Sequence, residues 1–359
     1  MPASLQKIAP TPWILKYASN SSLYRLEDCK DFFKRLGGWL DGVEIYRGFP
    51  EKILEIDDAL ITPGKPTVWT RTGDRIPESC VRRGPNLSQY VWAGDEKLDF
   101  SYSTDYFDEE CVYLSFLPNE WGHFLLESTS RLWALNQNPG LENLTLIYGY
   151  QDFRNDNILK FFEYAGIKRG RFRKIERPTR IKRCLIPSAS FSIRAEAYSA
   201  HHAIFKQVAQ AVMASRRTTK SDQPIYLSRS NITRGRVIRG ELELEERLIP
   251  LGIKVVHPET MSFEQQVELF NTHSHFIGCW GSAFHNILFA IEPKELTTHV
   301  MCEDVPNPNY LMIDSILMNQ SNYLQALQFT PNVRQEFPKT DCTIDANLLI
   351  GYLKQKNLV

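Results

Sequence analysis

The second half of the chain alternates short apolar runs with longer amphipathic segments. Apolar runs lie in Tyr226–Arg229, in Ile253–Pro258 and at the start of His275–Phe289, and an amphipathic segment separates each run from the next. Runs of this length predict strands, and the segments between them predict helices. The order strand, helix, strand, helix, strand, glycine turn, helix is typical of a parallel α/β domain. We therefore predict an α/β fold here.

The first half shows the same alternation from Cys111 onward. The runs Cys111–Leu117, Leu144–Gly149 and Arg183–Ser188 predict strands, whereas the patterns of Asn119–Leu135, Asn155–Ala165 and Ile193–Ser215 predict helices. Residues 1–100 are rich in proline and glycine, which predicts short strands and turns. The polar segment Thr218–Gln223 is the predicted linker. We predict two α/β domains in series with a cleft between them, at 1–215 and 216–305, followed by a helical tail at 306–359.

Composition narrows the class of protein. Lysine plus arginine and aspartate plus glutamate number 42 each, so no global basic field indicates nucleic acid as a partner. Seven dispersed cysteines without a CxxC pair favour reduced thiols and a cytoplasmic location. No signal-peptide or membrane-spanning run is seen. Two basic clusters, Lys168–Lys174 and Arg177–Arg183, are read as solvated faces, which leaves attachment to the inner face of a membrane open. The oligomeric state stays open too.

The glycine turn Gly278–Asn286 is the sharpest polar feature of the second half. Gly278 and Gly281 would let the backbone approach a ligand, and Ser282 would cap a helix whose free N–H groups suit a diphosphate. His285 and Asn286 follow in the first turns, where they would bond either the ligand or local backbone. The alternative is a tight βα turn that needs glycine for its geometry alone.

Arginines gather at the end of an earlier strand. Arg229 follows the predicted strand at Tyr226–Ser228, and Arg234 and Arg236 come shortly after it. Ligands of open α/β sheets bind at the carboxyl edge of the strands, where an arginine can fork onto phosphate oxygens. The alternative for each is a surface ion pair.

One helix of the first half carries a polar face. His123 and Glu127 are four residues apart, and Arg131 lies one step further, so a continuous helix would place all three on one side. Asn119 is the predicted cap of that helix. The functional interpretation is a general base, His123 or Glu127, tuned by its neighbour. The alternative is a half-buried polar network that braces the molecule. No metal site is expected, because no ligand spacing of the usual kind occurs.

Six segments in order resemble glycosyltransferase family 61 (the DUF563 group). They are NEWGHFLLE (Asn119–Glu127), IYLSR (Ile225–Arg229), RGRVIRGELELEE (Arg234–Glu246), VVHPE (Val255–Glu259), QQVELF (Gln265–Phe270) and GCWGSAFHN (Gly278–Asn286). The resemblance implies a GT-B-like pair of Rossmann-like domains, with acceptor-side residues before 216 and the nucleotide-sugar site after it. It implies inverting, metal-independent hexosyl or pentosyl transfer, without a cofactor, from a nucleotide-diphosphate donor, with UDP expected. The acceptor would be a glycan or lipid-linked glycan, in capsule, lipopolysaccharide or related assembly.

The resemblance also assigns roles. Arg229, Gly281, Ser282 and Asn286 would hold the diphosphate, and His123 and Glu127 would face the reaction centre. Two departures stand out: Trp280 occupies the place of a histidine usual before the glycine turn, and Arg239–Gly240–Glu241 stands where the family has an Asn–Glu pair. Trp280 suggests a base-stacking or wall role. These departures leave open a non-catalytic sugar-nucleotide or glycan-binding paralogue, or a GT-B-like epimerase or phosphorylase.

Overall fold

The structure is a computed structural model of the whole chain. It describes residues 43–50, 52–84, 89–99, 104–149, 155–216, 219–232, 237–302, 306–329 and 341–359, and the backbone of 6–7, 14–16 and 23–24. Secondary structure within these ranges is mixed, with strands of up to 11 residues and α-helices of 5–13 residues.

The strands of the described ranges are named in chain order. They are β1 Gln6–Lys7, β2 Ile14–Lys16, β3 Leu23–Tyr24, β4 Glu44–Arg47, β5 Ile53–Ile61, β6 Val68–Trp69, β7 Val81–Arg83, β8 Gln89–Val91, β9 Asp105–Ser115, β10 Thr145–Tyr148, β11 Phe172–Lys174, β12 Thr179–Pro187, β13 Phe191–Ser192, β14 Glu196–Tyr198, β15 Ile225–Leu227, β16 Ile238–Arg239, β17 Lys254–Val256, β18 His275–Cys279, β19 Thr297–Cys302, β20 Gln320–Gln325, β21 Leu327–Phe329 and β22 Cys342–Ile344.

The α-helices of the same ranges are α1 Trp121–Leu126, α2 Trp133–Gln137, α3 Asp156–Tyr164, α4 His201–Met213, α5 Glu241–Leu248, α6 Phe263–Thr272, α7 Pro308–Leu317 and α8 Ala346–Gln355. Two 3-10 helices, Ser128–Arg131 and Ser282–Phe289, contain residues predicted to belong to a site. None of the described helices has both the length and the hydrophobicity needed to cross a bilayer.

The chain divides into two compact units. Unit 1 comprises Met1–Ala9 and Trp39–Ala211, and unit 2 comprises Pro10–Gly38 and Val212–Val359. The central sheet of unit 1 has the order β11-β10-β9-β12-β5-β6, in which β11, β10, β9 and β12 are parallel. The chain runs outward from β9 to β11 and then returns to add β12 on the other side of β9. The direction of winding therefore reverses between β9 and β12, which makes their carboxyl ends a topological switch point.

Unit 2 is built on a sheet of order β17-β15-β18-β19-β20-β2-β3, parallel except for β3. β15, next to the edge strand β17, is a wholly apolar run with every residue buried, as expected where both faces of a parallel sheet are covered. The chain goes from β15 to β17 on one side and then crosses to β18 on the other. A second switch point thus lies at the carboxyl ends of β15 and β18. The predicted α/β class is confirmed in both units.

Three predicted helices differ in the structure. Asn119–Leu135 was predicted as one helix, but α1 gives way to the 3-10 helix Ser128–Arg131 before α2 begins. The stretch predicted as one helix from Ile193 begins instead with a turn, in which Arg194 takes a left-handed backbone (φ 59°), and with β14, which pairs with β13, before α4 starts at His201. The helix after Gly281 is 3-10 rather than α.

Candidate functional sites

The polar face of α1 contains a close histidine–carboxylate pair. His123 Nδ1 lies 2.7 Å from Glu127 Oε2, which is the contact expected from their i,i+4 spacing. The two side chains differ in exposure, because that of Glu127 is 4% exposed and that of His123 is 43% exposed. The histidine ring therefore meets solvent while the carboxylate that holds it is buried.

Arg83 completes this cluster from β7. Its Nε donates to Glu127 Oε1 at 2.6 Å and its Nη2 to Glu127 Oε2 at 2.7 Å, which is a bidentate ion pair. Nη2 also lies 3.2 Å from His123 Nδ1. The sequence prediction missed Arg83, since 40 residues separate it from His123 and no local pattern links them. We call Arg83, His123 and Glu127 the histidine cluster.

The histidine cluster fixes which ring nitrogen can act as a base. The Glu127 carboxylate accepts from two Arg83 nitrogens, so the short contact with Nδ1 is satisfied when Nδ1 carries the ring proton. We assign that tautomer from the hydrogen-bond network. Nε2 is then the acceptor nitrogen of a ring whose side chain is 43% exposed. Glu127 is already engaged by Arg83, so the geometry favours His123 for proton transfer and Glu127 for orienting it.

The buried His201 supports the helix that carries the cluster. Its Nε2 lies 3.1 Å from Leu125 O and its Nδ1 lies 3.0 Å from Ser190 Oγ. Burial lowers the pKa of His201 to about 3, with the hydrogen bond to Leu125 acting in the opposite direction. A neutral histidine thus ties α1 to the segment after β12.

Arg131 and Asn119 lie elsewhere than predicted. Arg131 is buried, and its guanidinium donates to three backbone carbonyls, those of Pro187, Glu78 (2.8 Å) and Ser79 (3.2 Å). It leaves the face of His123 because each residue of the intervening 3-10 helix turns ~120° instead of ~100°. Glu120, not Asn119, occupies the N-cap position of α1, and no side chain caps it.

A cavity opens at the switch point of unit 1. Its volume is about 120 Å³, and its lining includes Ser115 at the end of β9, Ser188 just after β12, and Glu127. Space of this size holds about four water molecules. Glu127 therefore lies at the wall of a small cavity at this switch point.

Arg229 and Gly281 meet at the switch point of unit 2. Arg229 follows β15 and Gly281 follows β18, and the two strands are paired through Leu227 and Gly278. A Cβ atom on Gly281 would lie 2.5 Å from Arg229 Nη1 and 3.4 Å from its Cζ. The guanidinium thus fills the space that a side chain would take. Glycine was predicted here for approach of a ligand, which stays a prediction; the structure shows that the absence of a side chain also makes room for the arginine.

The charge of Arg229 has no carboxylate partner in the described part of the chain. Its side chain makes no hydrogen bond or ion pair there, and Nε is buried. An arginine in this condition at the carboxyl edge of a parallel sheet is suited to an anion. We call Arg229 with Gly281 the arginine site.

Glu241, the first residue of α5, contacts the backbone of the arginine site through its carboxylate. Its Oε1 accepts from Tyr226 Oη (2.9 Å) and from the backbone N of Arg229 (3.2 Å). Burial raises the pKa of Glu241, although these hydrogen bonds and the charge of Arg229 act in the opposite direction. The two hydrogen bonds fix the position of the Arg229 backbone at the end of β15.

The remaining glycine-turn residues are mostly internal. A Cβ atom on Gly278 would lie 2.8 Å from Leu227 O, so glycine is needed there for close packing of β15 and β18. Trp280 is half-buried and packs against the hydrophobic core of unit 2. Ser282 is exposed and makes no cap, because Gly281 occupies the N-cap position.

His285 and Asn286 are both buried. The ring of His285 lies 5.0 Å from that of Tyr310, whose hydroxyl donates to Gly281 O at 2.9 Å. Asn286 Nδ2 donates to Gln266 Oε1 at 2.8 Å. Through these contacts the turn is tied to α6 and α7, which fixes the position of Gly281.

The last candidates are dispersed. Arg234 and Arg236 lie outside the described residues. Glu259 lies after β17 at the same edge of the sheet, with Oε1 3.8 Å from His257 Nδ1. In the described ranges, no group of three or more histidine, cysteine, aspartate and glutamate side chains is placed to hold a metal ion.

Comparison with known proteins agrees with the motifs. A search of curated proteins found no match. The model of the family described as Glycosyltransferase 61 matches residues 121–300, half of the chain, from the first residue of α1 to within β19. His123, Glu127 and the two residues of the arginine site all lie within that match. The chain therefore belongs to glycosyltransferase family 61.

Proposed function

We propose that this glycosyltransferase moves a hexosyl or pentosyl unit from a nucleotide-diphosphate donor, with UDP as the nucleotide, to a glycan or lipid-linked glycan. The transfer inverts the anomeric centre and needs no obligate metal. The observation that carries the proposal is the Arg229 guanidinium, packed on Gly281 at the switch point of unit 2 without a carboxylate partner among the described side chains. Such a charge favours a diphosphate.

The proposed reaction is a single displacement. His123 Nε2 takes the proton of the acceptor hydroxyl while that oxygen forms a bond to the anomeric carbon. The bond from the anomeric carbon to the diphosphate breaks, and its electron pair leaves with the diphosphate. Arg229 stabilises the charge that develops there, which is the task a metal ion performs in other enzymes. Attack opposite to the leaving group inverts the configuration.

The proposal includes a GT-B arrangement. The histidine cluster would belong to the acceptor-side Rossmann-like domain and the arginine site to the donor-side one, facing each other across a cleft. The boundaries 1–215, 216–305 and 306–359, the cytoplasmic location and a role in capsule, lipopolysaccharide or related assembly are parts of the same proposal. A crystal structure with UDP bound would test the arrangement directly, because the diphosphate should contact Arg229.

Donor binding is the first experiment. Thermal unfolding of the purified protein is followed with UDP, GDP, CMP and inorganic diphosphate. A ligand at a hundred times its dissociation constant stabilises the folded state by about 2.7 kcal/mol, so UDP should raise the melting temperature measurably. If no nucleotide stabilises the protein, the donor site is wrongly assigned.

Transfer is the second experiment. Release of UDP from a panel of UDP-sugars is measured with candidate glycan acceptors, with and without EDTA, and NMR of the product gives the anomeric configuration. His123→Ala should lower kcat by about 10²–10⁴-fold, whereas His202→Ala, which alters a histidine of α4 outside the cluster, should not. Full transfer by both His123→Ala and Glu127→Ala would remove the proposed base.

A further inference from the structure

Trp92 is an exposed aromatic residue with a strained backbone. It directly follows β8, and 44% of its surface is exposed. Its φ of 54° lies in the left-handed region, which is uncommon for a bulky residue. Backbone strain of this kind clusters at binding and catalytic sites. The fold thus holds a large aromatic side chain at the surface in a conformation that it does not favour.

The ring of Trp92 is fixed in orientation. The Arg83 guanidinium carbon lies 5.1 Å from the ring centroid, and the ring of Phe116 packs against it edge-on at 5.4 Å and 64°. A ring held by a cation and by a buried phenylalanine presents a preorganised surface.

Arg83 connects this surface with the proposed base. The same guanidinium that contacts Trp92 holds both oxygens of Glu127 and reaches His123 Nδ1 at 3.2 Å. Trp92 and His123 therefore contact one guanidinium. Because Arg83 lies over one face of the ring, a ligand would stack on the opposite face or the edge of Trp92, one ring away from the guanidinium that holds Glu127.

We infer that Trp92 binds the sugar ring that accepts the transferred unit. One face of a sugar ring is a layer of C–H bonds, whose partial positive charge matches the negative face of an aromatic ring. Arg83 is already paired with Glu127, so the surface suits a neutral sugar rather than an anion. Stacking would direct one hydroxyl of that sugar toward His123. This inference rests on the proposed function and adds the residue that selects the acceptor.

The experiment measures sugar binding apart from transfer. Saturation-transfer NMR is recorded with methyl β-D-glucopyranoside, methyl β-D-galactopyranoside and methyl β-D-xylopyranoside, for the wild type, Trp92→Leu and Trp92→Phe. Leucine keeps an apolar side chain against Phe116 but removes the aromatic face. Phenylalanine keeps an aromatic face that is smaller than that of tryptophan. Tyr106→Ala is the matched control, since Tyr106 is another exposed aromatic of unit 1, at 59% exposure. Thermal shift with UDP is measured for every variant.

We expect Trp92→Leu to weaken binding of the glycosides at least fivefold and Trp92→Phe to weaken it less. Tyr106→Ala should bind as the wild type does. In the transfer assay, Trp92→Leu should raise KM for the acceptor while KM for the donor stays unchanged.

Equal binding by Trp92→Leu and the wild type, or no binding by the wild type, overturns the inference. A third outcome also overturns it: Trp92→Leu still binds the glycosides but no longer binds phosphatidylcholine–phosphatidylglycerol vesicles. The ring would then be a membrane contact. If glycosides bind in a Trp92-dependent way but no UDP-sugar is bound or turned over, the sugar site stands and the proposed transfer fails.

Discussion

Arg83 of unit 1 and Arg229 of unit 2 are two arginines in opposite electrostatic conditions. Arg83 has both oxygens of a buried carboxylate as partners, at 2.6 and 2.7 Å. Arg229 lies on the backbone of Gly281 and has no ion pair in the described ranges. A neutralised guanidinium is a rigid structural clamp, whereas an uncompensated one can receive an anion. Arg83 thus holds the position of Glu127 in unit 1, whereas Arg229 offers a positive charge in unit 2.

The comparison predicts that Arg83→Met costs folding stability. Glu127 is buried, so removing its partner leaves a carboxylate with an uncompensated charge, and the free energy of unfolding should fall by about 3 kcal/mol. Urea denaturation at pH 7 measures this. Arg177→Met is the control, because Arg177 and Asp105 form an exposed pair at 3.7 Å that should contribute less than ~1 kcal/mol. Equal losses in both variants would contradict the clamp.

Arg229→Ala should show the reverse pattern, with little change in stability and a large change in donor affinity. Hydrogen bonds to a charged group contribute about 1.5–3 kcal/mol, so the dissociation constant of UDP should rise roughly 10- to 100-fold. Isothermal titration calorimetry measures it. Arg239→Ala is the matched control, since Arg239 is exposed and lies 3.6 Å from Asp341 in the same unit. Unchanged UDP affinity in Arg229→Ala would exclude Arg229 from the donor site.

Lowering the pH should destabilise the folded state through His201, the buried histidine that holds α1 in place. The folded-state pKa of His201 is about 3, against about 6.5 in the unfolded chain. Between these values the unfolded state binds more protons, so stability is lost as the pH falls below about 6.5. Between pH 7 and pH 5 this amounts to roughly 2 kcal/mol for one such histidine.

His201→Gln should flatten that pH dependence, since glutamine keeps a donor toward Leu125 O without titrating. Denaturation curves at pH 7 and pH 5 test it, with His202→Gln as the control. His299 of unit 2, whose pKa burial also lowers to about 3, keeps its own share of the acid sensitivity in both variants. An undiminished slope in His201→Gln would mean that His201 is not the titrating group.

The smallest expected effect is that of Gly281→Ala on UDP affinity, which tests whether Arg229 needs the space beside Gly281. Gly281→Ala puts a Cβ atom 2.5 Å from Arg229 Nη1, which forces the flexible end of that side chain to move. UDP affinity should fall by a few-fold, on the order of 1 kcal/mol, without unfolding the protein. Gly351→Ala is the control: in α8 a Cβ atom meets nothing within 4 Å, and the change should stabilise the helix slightly. Equal UDP affinity in both variants would show that the guanidinium position is not critical.

Local features of both sites were predictable from the sequence. The His123–Glu127 contact follows from helical spacing, and the convergence of Arg229 and Gly281 follows from the rule that parallel strands end at one edge. The helix predicted from Asn155 is equally local: α3 begins at Asp156, and the Asn155 side chain caps it by accepting from the backbone N of Asn157.

Features that depend on distant contacts were not predictable. Arg83 reaches Glu127 across 44 residues, and only tertiary packing brings them together. The position of Arg131 depended on a change from α to 3-10 geometry, for which the sequence offers no clear signal. The hydrogen bond from Asn286 to Gln266, a partner on another helix, had no signal in the sequence either.

The location of Arg83 in a separate two-stranded ribbon has a consequence for how the enzyme loses activity. Arg83 belongs to the two-stranded pair β7–β8, which is not part of the central sheet of unit 1. Opening of that small ribbon alone would release the Glu127 carboxylate and let the His123 ring rotate, while the sheet stays intact. Activity would then be lost through local opening at a lower free energy than global unfolding. Amide hydrogen exchange in β7 should report the lifetime of the competent enzyme.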